Sequence, residues 1–244
     1  TRRPRAAELR CQLGQLLWDQ GLRSEALAEI GTVLSHDPTH GRAWELMWRW
    51  SAAEGEPQRC LQLARQCSAE RPWNGELWLQ VAEVLSMAEE NEACLQAIES
   101  ALSRRCRRGA ALDLKATVLT RIGRREPALA ACDEPALGMD QAPLRARRAW
   151  VLKEFGDADE ALAALRSVTE NFPDHAWAWE QLTEWHAAAG RHDEAMIAAK
   201  QLVRLSPLSA VSFGYLGDAA YQAKDYDGAR EALVRAATLD PHYL

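Results

Sequence analysis

Residues 213–217 read Phe-Gly-Tyr-Leu-Gly, residues 226–229 read Tyr-Asp-Gly-Ala, and residues 239–241 read Leu-Asp-Pro. Apolar and small residues recur through both of the first two stretches at the spacing of one helix face. Pro241 cannot continue a helix and marks the end of the second one. The pattern predicts two antiparallel helices that form a hairpin between residues 210 and 243.

The proline of this hairpin recurs along the chain at a fixed interval. Pro38 and Pro72 are 34 residues apart, and Pro173, Pro207 and Pro241 are again separated by 34. The 101 residues between Pro72 and Pro173 equal three such intervals less one residue. Periods of this length are typical of stacked helical repeats. We therefore divide the chain into seven repeats, numbered from the N-terminus: 7–40, 41–74, 75–108, 109–141, 142–175, 176–209 and 210–243.

Three further positions have a constant residue type within these repeats. Position 15 is glycine in five repeats, where a left-handed conformation ends the first helix. Trp44, Trp78 and Trp179 occupy position 4, and we expect them to be core residues. Position 20 is small in every repeat, so that the two helices can approach closely: Ala26, Cys60, Cys94, Ala128, Ala161, Ala195 and Ala229. We predict an all-α fold, a right-handed superhelical α-solenoid of antiparallel helix pairs.

The spacing and residue types of the last repeat resemble the tetratricopeptide repeat family. The resemblance extends over residues 7–243, which we treat as one repeat domain. Members of this family share a scaffold role and differ in their partners. The resemblance therefore implies a protein–protein interaction scaffold that binds a partner segment in its concave groove, with no catalytic site and no cofactor in this chain.

The middle of the chain departs from the pattern. Repeats 3 and 4 have Cys106 and Asp140 near the expected place of the proline, and Pro135 is expected to end the second helix of repeat 4 early. We expect an irregular joint near residues 104–142. Residues 104–148 also carry eleven basic and five acidic side chains, a net charge of +6, whereas the whole chain has -6.

Arginines cluster in this central region at the predicted turns and helix ends. A basic band of this kind would dock an acidic or phosphate-rich partner. Its members are Arg104, Arg105, Arg107, Arg108, Arg124, Arg125 and Arg147.

In the tetratricopeptide repeat family, positions 2, 5, 9, 12 and 13 line the concave groove. The resemblance implies that aromatic and charged side chains at these positions bind the partner: Trp18, Glu45, Arg49, Trp150, Trp177, Glu180, Glu184, Asp218 and Tyr221. The last repeats contribute mainly acidic and aromatic residues. We therefore expect a protein or peptide with basic and aromatic side chains as the partner.

Two alternative functions remain open. The chain could be the substrate-recruiting part of a larger enzyme such as a glycosyltransferase, or a scaffold in RNA processing like proteins with half-a-TPR repeats. The net charge of -6 disfavours nucleic acid as a partner.

Catalytic and metal-binding motifs are missing from the sequence. It contains no glycine-rich phosphate loop, no His-Glu-x-x-His, no nucleophile elbow and no Cys-x-x-Cys pair. We expect no catalytic site, no metal and six buried thiols in a reducing compartment. No apolar stretch is long enough to span a bilayer, so we also expect no membrane insertion and a cytoplasmic location.

Overall fold

The structure is a computed structural model that describes residues 4–134 and 141–241. It contains fourteen α-helices and no strand within those ranges. The chain folds as two compact modules, which we call the N-terminal module (residues 1–137) and the C-terminal module (residues 138–244). The single repeat domain over residues 7–243 stays a prediction.

The helices follow one another with short turns in both modules. The N-terminal module contains α1 (Pro4–Asp19), α2 (Arg23–His36), α3 (Gly41–Ala53), α4 (Pro57–Glu70), α5 (Gly75–Met87), α6 (Asn91–Leu102), α7 (Arg108–Arg121) and α8 (Arg125–Asp133). The C-terminal module contains α9 (Ala142–Glu154), α10 (Ala158–Asn171), α11 (Ala176–Ala188), α12 (His192–Leu205), α13 (Ala210–Gln222) and α14 (Tyr226–Leu239).

Within each module, consecutive helices pair as hairpins and each hairpin packs on the next. In the N-terminal module, for example, α3 contacts α2, α4 and α5. Helix α8 has only nine residues and ends at Asp133, whereas the other helices have 12 to 16. Residues 135–140 of the predicted joint, among them Pro135 and Asp140, lie outside the described residues.

Position 15 of every repeat has a left-handed backbone. Five of these residues are glycines with φ between 71° and 91°, and the other two are Glu89 (φ 57°) and Lys224 (φ 66°). The amide of the following residue then bonds the carbonyl five residues back, as from Asp225 to Ala220 at 2.9 Å. This geometry satisfies the last carbonyls of the first helix and reverses the chain.

Small side chains hold the two helices of each hairpin close together. All seven residues at position 20 are buried, from Ala26 to Ala229. Gly217, on the facing helix, would place a Cβ atom 2.6 Å from Leu233 Cγ, so α13 and α14 leave no room for a side chain there. Close packing of this kind is typical of protein interiors.

Tryptophan at position 4 connects each repeat to the turn before it. The indole N–H groups of Trp44, Trp78 and Trp179 donate to the carbonyls of the preceding prolines, at 2.9, 3.0 and 2.8 Å respectively. Trp44 is buried, while Trp78 and Trp179 are half-buried. An indole at this position therefore packs against the core and also satisfies a turn carbonyl, which phenylalanine cannot do.

Side chains just before the first helix of several repeats act as N-caps. Asn74 and Ser209 accept a hydrogen bond from the backbone amide three residues later. His40 and His175 do the same through Nδ1, each at 3.2 Å. The pattern explains why these histidines stand in turns. None of the described helices combines the length and the apolar character required to cross a bilayer.

Candidate functional site

The predicted groove residues of the N-terminal module lie on α1 and α3, and some of them bond to each other. Arg49 donates to Gln15 Oε1 at 3.0 Å, and the amide of Gln15 donates to Asp19 at 2.9 Å. Glu45 and Arg49 are both exposed. This face thus has both positive and negative side chains, and some of them are hydrogen-bonded to other residues of the module.

Trp18 is held between two neighbours. Its ring stacks on Trp50 with the centroids 4.9 Å apart and the planes 5° from parallel, and the Arg23 guanidinium lies 4.0 Å from the ring centroid. Arg23 also donates to the carbonyl of Trp18 at 3.0 Å. The side chain is half-buried, so part of its surface is already used by packing within the module.

Acidic side chains accompany much of the predicted arginine band. Arg107 donates to Glu76 at 3.0 Å, Arg124 donates to Glu92 at 2.7 Å, and Arg108 pairs with Glu134.

Two other members of the band are placed differently. Arg104 donates to the Ser100 carbonyl at 2.6 Å and lies against the Trp78 ring, whereas Arg105 is exposed. Three members of the band in this module, Arg107, Arg108 and Arg124, are thus paired with acidic side chains. Arg147 belongs to the C-terminal module.

Arg147 lies between two tryptophans of the C-terminal module. Its guanidinium is 5.1 Å from the ring centroid of Trp150 on α9 and 5.7 Å from that of Trp177 on α11. Both rings are half-buried, and His175 meets Trp177 edge to face. The faces of the two indole rings thus already contact a cation.

Carboxylates follow these aromatic residues on α11 and α13. Glu184 accepts a hydrogen bond from the hydroxyl of Tyr215 at 2.6 Å and one from Gln181 at 3.2 Å. Burial, and then the negative charge of Glu184, raise the pKa of Glu180 above its usual value. Asp218 is exposed. Among the described residues, neither Glu184 nor Asp218 forms an ion pair with a lysine or an arginine.

Tyr221 lies at the end of α13, where its side chain is 57% exposed. Its ring meets Tyr226 edge to face, with the centroids 5.7 Å apart. An exposed pair of tyrosines offers apolar surface at low entropic cost to a partner.

Burial determines the protonation state of two thiols in the N-terminal module. Burial raises the pKa of Cys60 to about 12 and that of Cys94 to about 11, so both remain protonated at neutral pH. No group of three or more potential metal ligands comes together in the described part of the chain.

One depression of the C-terminal module was not predicted. It has a volume of about 720 Å³ and lies between α12, α13 and α14, above Phe213, Leu216 and Ala220. Its lining includes two basic residues, Lys200 and Arg235, and two acidic ones, Asp225 and Glu231. Phenylalanine at position 4, where three other repeats have tryptophan, and alanine at position 11 are the sequence signals that could have indicated it.

Stacked helical hairpins with left-handed turns at a constant position define a helical-repeat protein. Two models of the family described as "Tetratricopeptide repeat" match residues 146–210 and 210–243. Residues 146–243 thus match the tetratricopeptide repeat family, in agreement with the resemblance seen in the sequence.

Other proteins share the sequence of one part of the chain or its fold. Residues of the mouse protein "Superkiller complex protein 3" are 30% identical over 90 positions, which represent 36% of this chain and 6% of that protein. The chain thus spans a small fraction of that relative. A tetratricopeptide repeat protein from Parabacteroides merdae has a TM-score of 0.56 at 14% identity, over 98% of this chain and 95% of that one. The APC/C hetero-tetramer Cut9-Hcn1 gives 0.53 at 15% identity, over 93% and 45%.

Proposed function

We propose that the chain is a protein-interaction scaffold and that it binds a partner segment on the face formed by α9, α11 and α13. The segment would be extended or helical and would carry basic side chains beside apolar or aromatic ones. Tandem tetratricopeptide repeats are typically non-catalytic scaffolds. The name of the Superkiller relative and the Cut9-Hcn1 hetero-tetramer both refer to multi-protein assemblies, which agrees with this role.

The observation that carries the proposal is the uncompensated negative charge on α11 and α13. Glu184 and Asp218 are exposed, and among the described residues no lysine or arginine pairs with them. In the N-terminal module, the arginines 107, 108 and 124 each have an acidic partner. Carboxylates that remain unpaired in the folded protein attract a cationic partner and orient it.

The neighbouring tryptophans support the same partner chemistry. The faces of Trp150 and Trp177 already contact the Arg147 guanidinium. An arginine of the partner can interact with the same kind of surface, and apolar side chains can pack on the half-buried indoles. Tyr221 extends the aromatic surface towards the C-terminal end of α13.

Binding of RNA is the weaker proposal. It would need free positive charge, whereas the arginines of the N-terminal module that have acidic partners would have to exchange them for phosphates. If the chain instead recruits a substrate for a larger enzyme, that substrate would bind to the same face through the same contacts.

The proposal is tested with a fluorescein-labelled peptide of alternating arginine and leucine, whose binding is followed by fluorescence anisotropy. We expect the double variant Glu184→Lys/Asp218→Lys to bind at least about tenfold more weakly than the wild type, because each change reverses a charge that faces the peptide. The matched control is Glu231→Lys, an exposed site on α14, which should bind like the wild type.

Two results would reject this face as the binding site. One is equal loss of affinity in the control and the double variant. The other is equal affinity of the wild type for a peptide in which glutamate replaces arginine, because the proposed site is selective for positive charge.

A further inference from the structure

Arg147 lies between two indole rings that come from successive repeats. Its guanidinium carbon is 5.1 Å from the ring centroid of Trp150, one turn further along α9, and 5.7 Å from that of Trp177 near the start of α11. Both distances fall within the range of about 6 Å over which a cation interacts with an aromatic face. We call Trp150 and Trp177 the aromatic clamp. It exists only because two hairpins of the C-terminal module pack together.

The rings of the aromatic clamp are held in place and are still accessible. Trp150, Trp177 and Arg147 are all half-buried. His175 contacts the Trp177 ring edge to face, with the centroids 6.5 Å apart. The Nδ1 atom of His175 also accepts a hydrogen bond from the amide of Ala178 at 3.2 Å, which fixes the imidazole at the start of α11. Rings that are oriented in this way before binding lose little freedom when a partner contacts them.

Two other basic side chains of α9 contact different neighbours. Arg148 Nη1 lies 3.7 Å from a carboxylate oxygen of Glu160, and the Lys153 ammonium lies 4.8 Å from the ring centroid of Trp185. Trp185 is 6% exposed, so a partner has little access to that ring. Arg147, in contrast, covers rings that stay partly exposed. Of these three cations, Arg147 is the one whose aromatic contacts a partner can replace.

Negative charge lies next to the aromatic clamp. Glu180 follows Trp177 by three residues on α11, which places the two side chains on the same face of the helix. Glu184 follows Glu180 by one further turn and is exposed. A cationic side chain that approaches this face is therefore attracted towards the rings, where Arg147 already supplies a positive charge.

From this geometry we infer that the aromatic clamp receives one arginine of the partner segment, and that Arg147 occupies the clamp in the free protein until the arginine of the partner displaces it. The inference rests on the proposed function, since it assigns one contact within the same face. Arginine is favoured over lysine, because its guanidinium is planar, stacks on aromatic rings and is more weakly hydrated than an ammonium group.

Arg147 lowers the affinity for such a partner in two ways. It covers the ring surface that the incoming guanidinium needs, and its charge repels that guanidinium. The apparent affinity then falls with the fraction of molecules in which the clamp is free. Arg147 belongs by sequence to the basic band, but its place in the clamp makes it a competitor of a basic partner and not a docking point for an acidic one.

The test compares two variants of α9 that lose the same charge. Arg147→Gln empties the clamp, whereas Arg148→Gln, the matched control, removes a cation that lies beside Glu160. Binding of the fluorescein-labelled arginine–leucine peptide is followed by fluorescence anisotropy. We expect Arg147→Gln to bind at least about threefold more tightly than the wild type, the effect of one exposed cation–π contact. Arg148→Gln should change the affinity by less than about twofold, because an exposed ion pair contributes little.

A second peptide, in which lysine replaces arginine, separates the clamp from charge alone. It keeps the positive charges that Glu184 and Asp218 attract but has no guanidinium. We expect Arg147→Gln to gain less affinity for the lysine peptide than for the arginine peptide. Adding Trp150→Ala to Arg147→Gln should abolish the gain for the arginine peptide. Circular dichroism checks that each variant keeps its helices.

Two results overturn the inference and leave the proposed function standing. One is a wild type that binds the arginine peptide as proposed while Arg147→Gln binds it no more tightly than Arg148→Gln does. The other is an equal gain for the arginine and lysine peptides, because charge repulsion then explains the effect without the clamp. If neither the wild type nor Arg147→Gln binds the arginine peptide, the proposed function fails and the inference fails with it.

Discussion

Lys224 and Glu89 take a backbone conformation that the other repeats assign to glycine. Their φ angles of 66° and 57° lie in the left-handed region, where a Cβ atom approaches the neighbouring carbonyl. Both residues still close their turns with the hydrogen bonds that the glycines make. Hairpin packing therefore imposes the turn geometry, and the left-handed backbone of each of these two residues lowers the stability of the fold.

Replacing Lys224 by glycine should stabilise the chain by about 0.5–1 kcal/mol, because glycine removes the strain at a small cost in unfolded-state entropy. Chemical denaturation measures the change. Lys224→Ala is the matched control and should show no such gain, since alanine keeps the Cβ atom. A gain of equal size in alanine would mean that the lysine side chain, and not its φ angle, is unfavourable.

His186 is a buried residue whose charge state matters to the C-terminal module. It is 4% exposed, and its Nδ1 accepts a hydrogen bond from Arg191 at 3.0 Å. Burial, followed by the charges of Arg191 and Arg166, lowers the pKa of His186, while Glu194 acts in the opposite direction. The folded protein therefore holds the neutral imidazole.

The lowered pKa predicts that stability is lost in acid. Because the folded protein binds the proton more weakly than the unfolded chain, stability is complete above the unfolded pKa of about 6.5 and falls as the pH drops below it. Thermal unfolding midpoints between pH 8 and pH 5 measure the loss. His186→Asn keeps an acceptor for Arg191 but does not titrate there, so its profile should be flatter than the wild type. If the unfolding midpoints of the wild type and the variant fell in parallel between pH 8 and pH 5, His186 would not be the source of the loss.

At the scale of the helix, the tryptophans at position 4 connect the first helix of a repeat to the turn that precedes it. The indole of Trp44 spans from α3 to the carbonyl of Pro38 in the preceding turn. Trp44→Phe should destabilise the chain by about 1–2 kcal/mol, the sum of a lost hydrogen bond and some lost packing. Trp73→Phe is the control, because Trp73 is 72% exposed and should change the unfolding free energy by less than about 0.5 kcal/mol.

Gly75, at the start of α5, tests how closely this helix approaches the turn before α7. A Cβ atom there would lie 2.6 Å from the carbonyl oxygen of Arg105, which is backbone and cannot move alone. Gly75→Ala should cost about 1–3 kcal/mol in unfolding experiments. Gly31→Ala, in open space within α2, should instead stabilise by roughly 0.5–1 kcal/mol, because alanine favours the helix. Similar changes in unfolding free energy for Gly75→Ala and Gly31→Ala would show that α5 does not approach the turn before α7 closely.

Sequence patterns predicted the elements better than the side-chain contacts. The all-α solenoid of antiparallel hairpins and its family are confirmed. The left-handed turns at Glu89 and Lys224 were missed because neither residue prefers that conformation. The acidic partners of the arginines were missed too, because Arg107 and Glu76 are 31 residues apart and meet only when repeats stack. The partner-binding role of the predicted groove residues stays a prediction.

At the scale of the whole molecule, charge differs between the helices that the resemblance assigns to the groove. Arg107, Arg108 and Arg124 have acidic partners, whereas α11 and α13 present Glu184 and Asp218 without basic ones among the described residues. Aromatic side chains, Trp150, Trp177 and Tyr221, accompany these carboxylates. This is the face of the C-terminal module that we propose to bind a basic, partly apolar segment.

Backbone amide NMR of the full chain, titrated with the arginine–leucine peptide, locates the bound peptide on individual helices. We expect the amides of α9, α11 and α13 around Trp150, Trp177 and Glu184 to shift progressively and to saturate. We also expect the shifts to disappear in the Glu184→Lys/Asp218→Lys variant. Saturable shifts confined to the N-terminal module, or to the depression between α12 and α14, would contradict the proposed binding face.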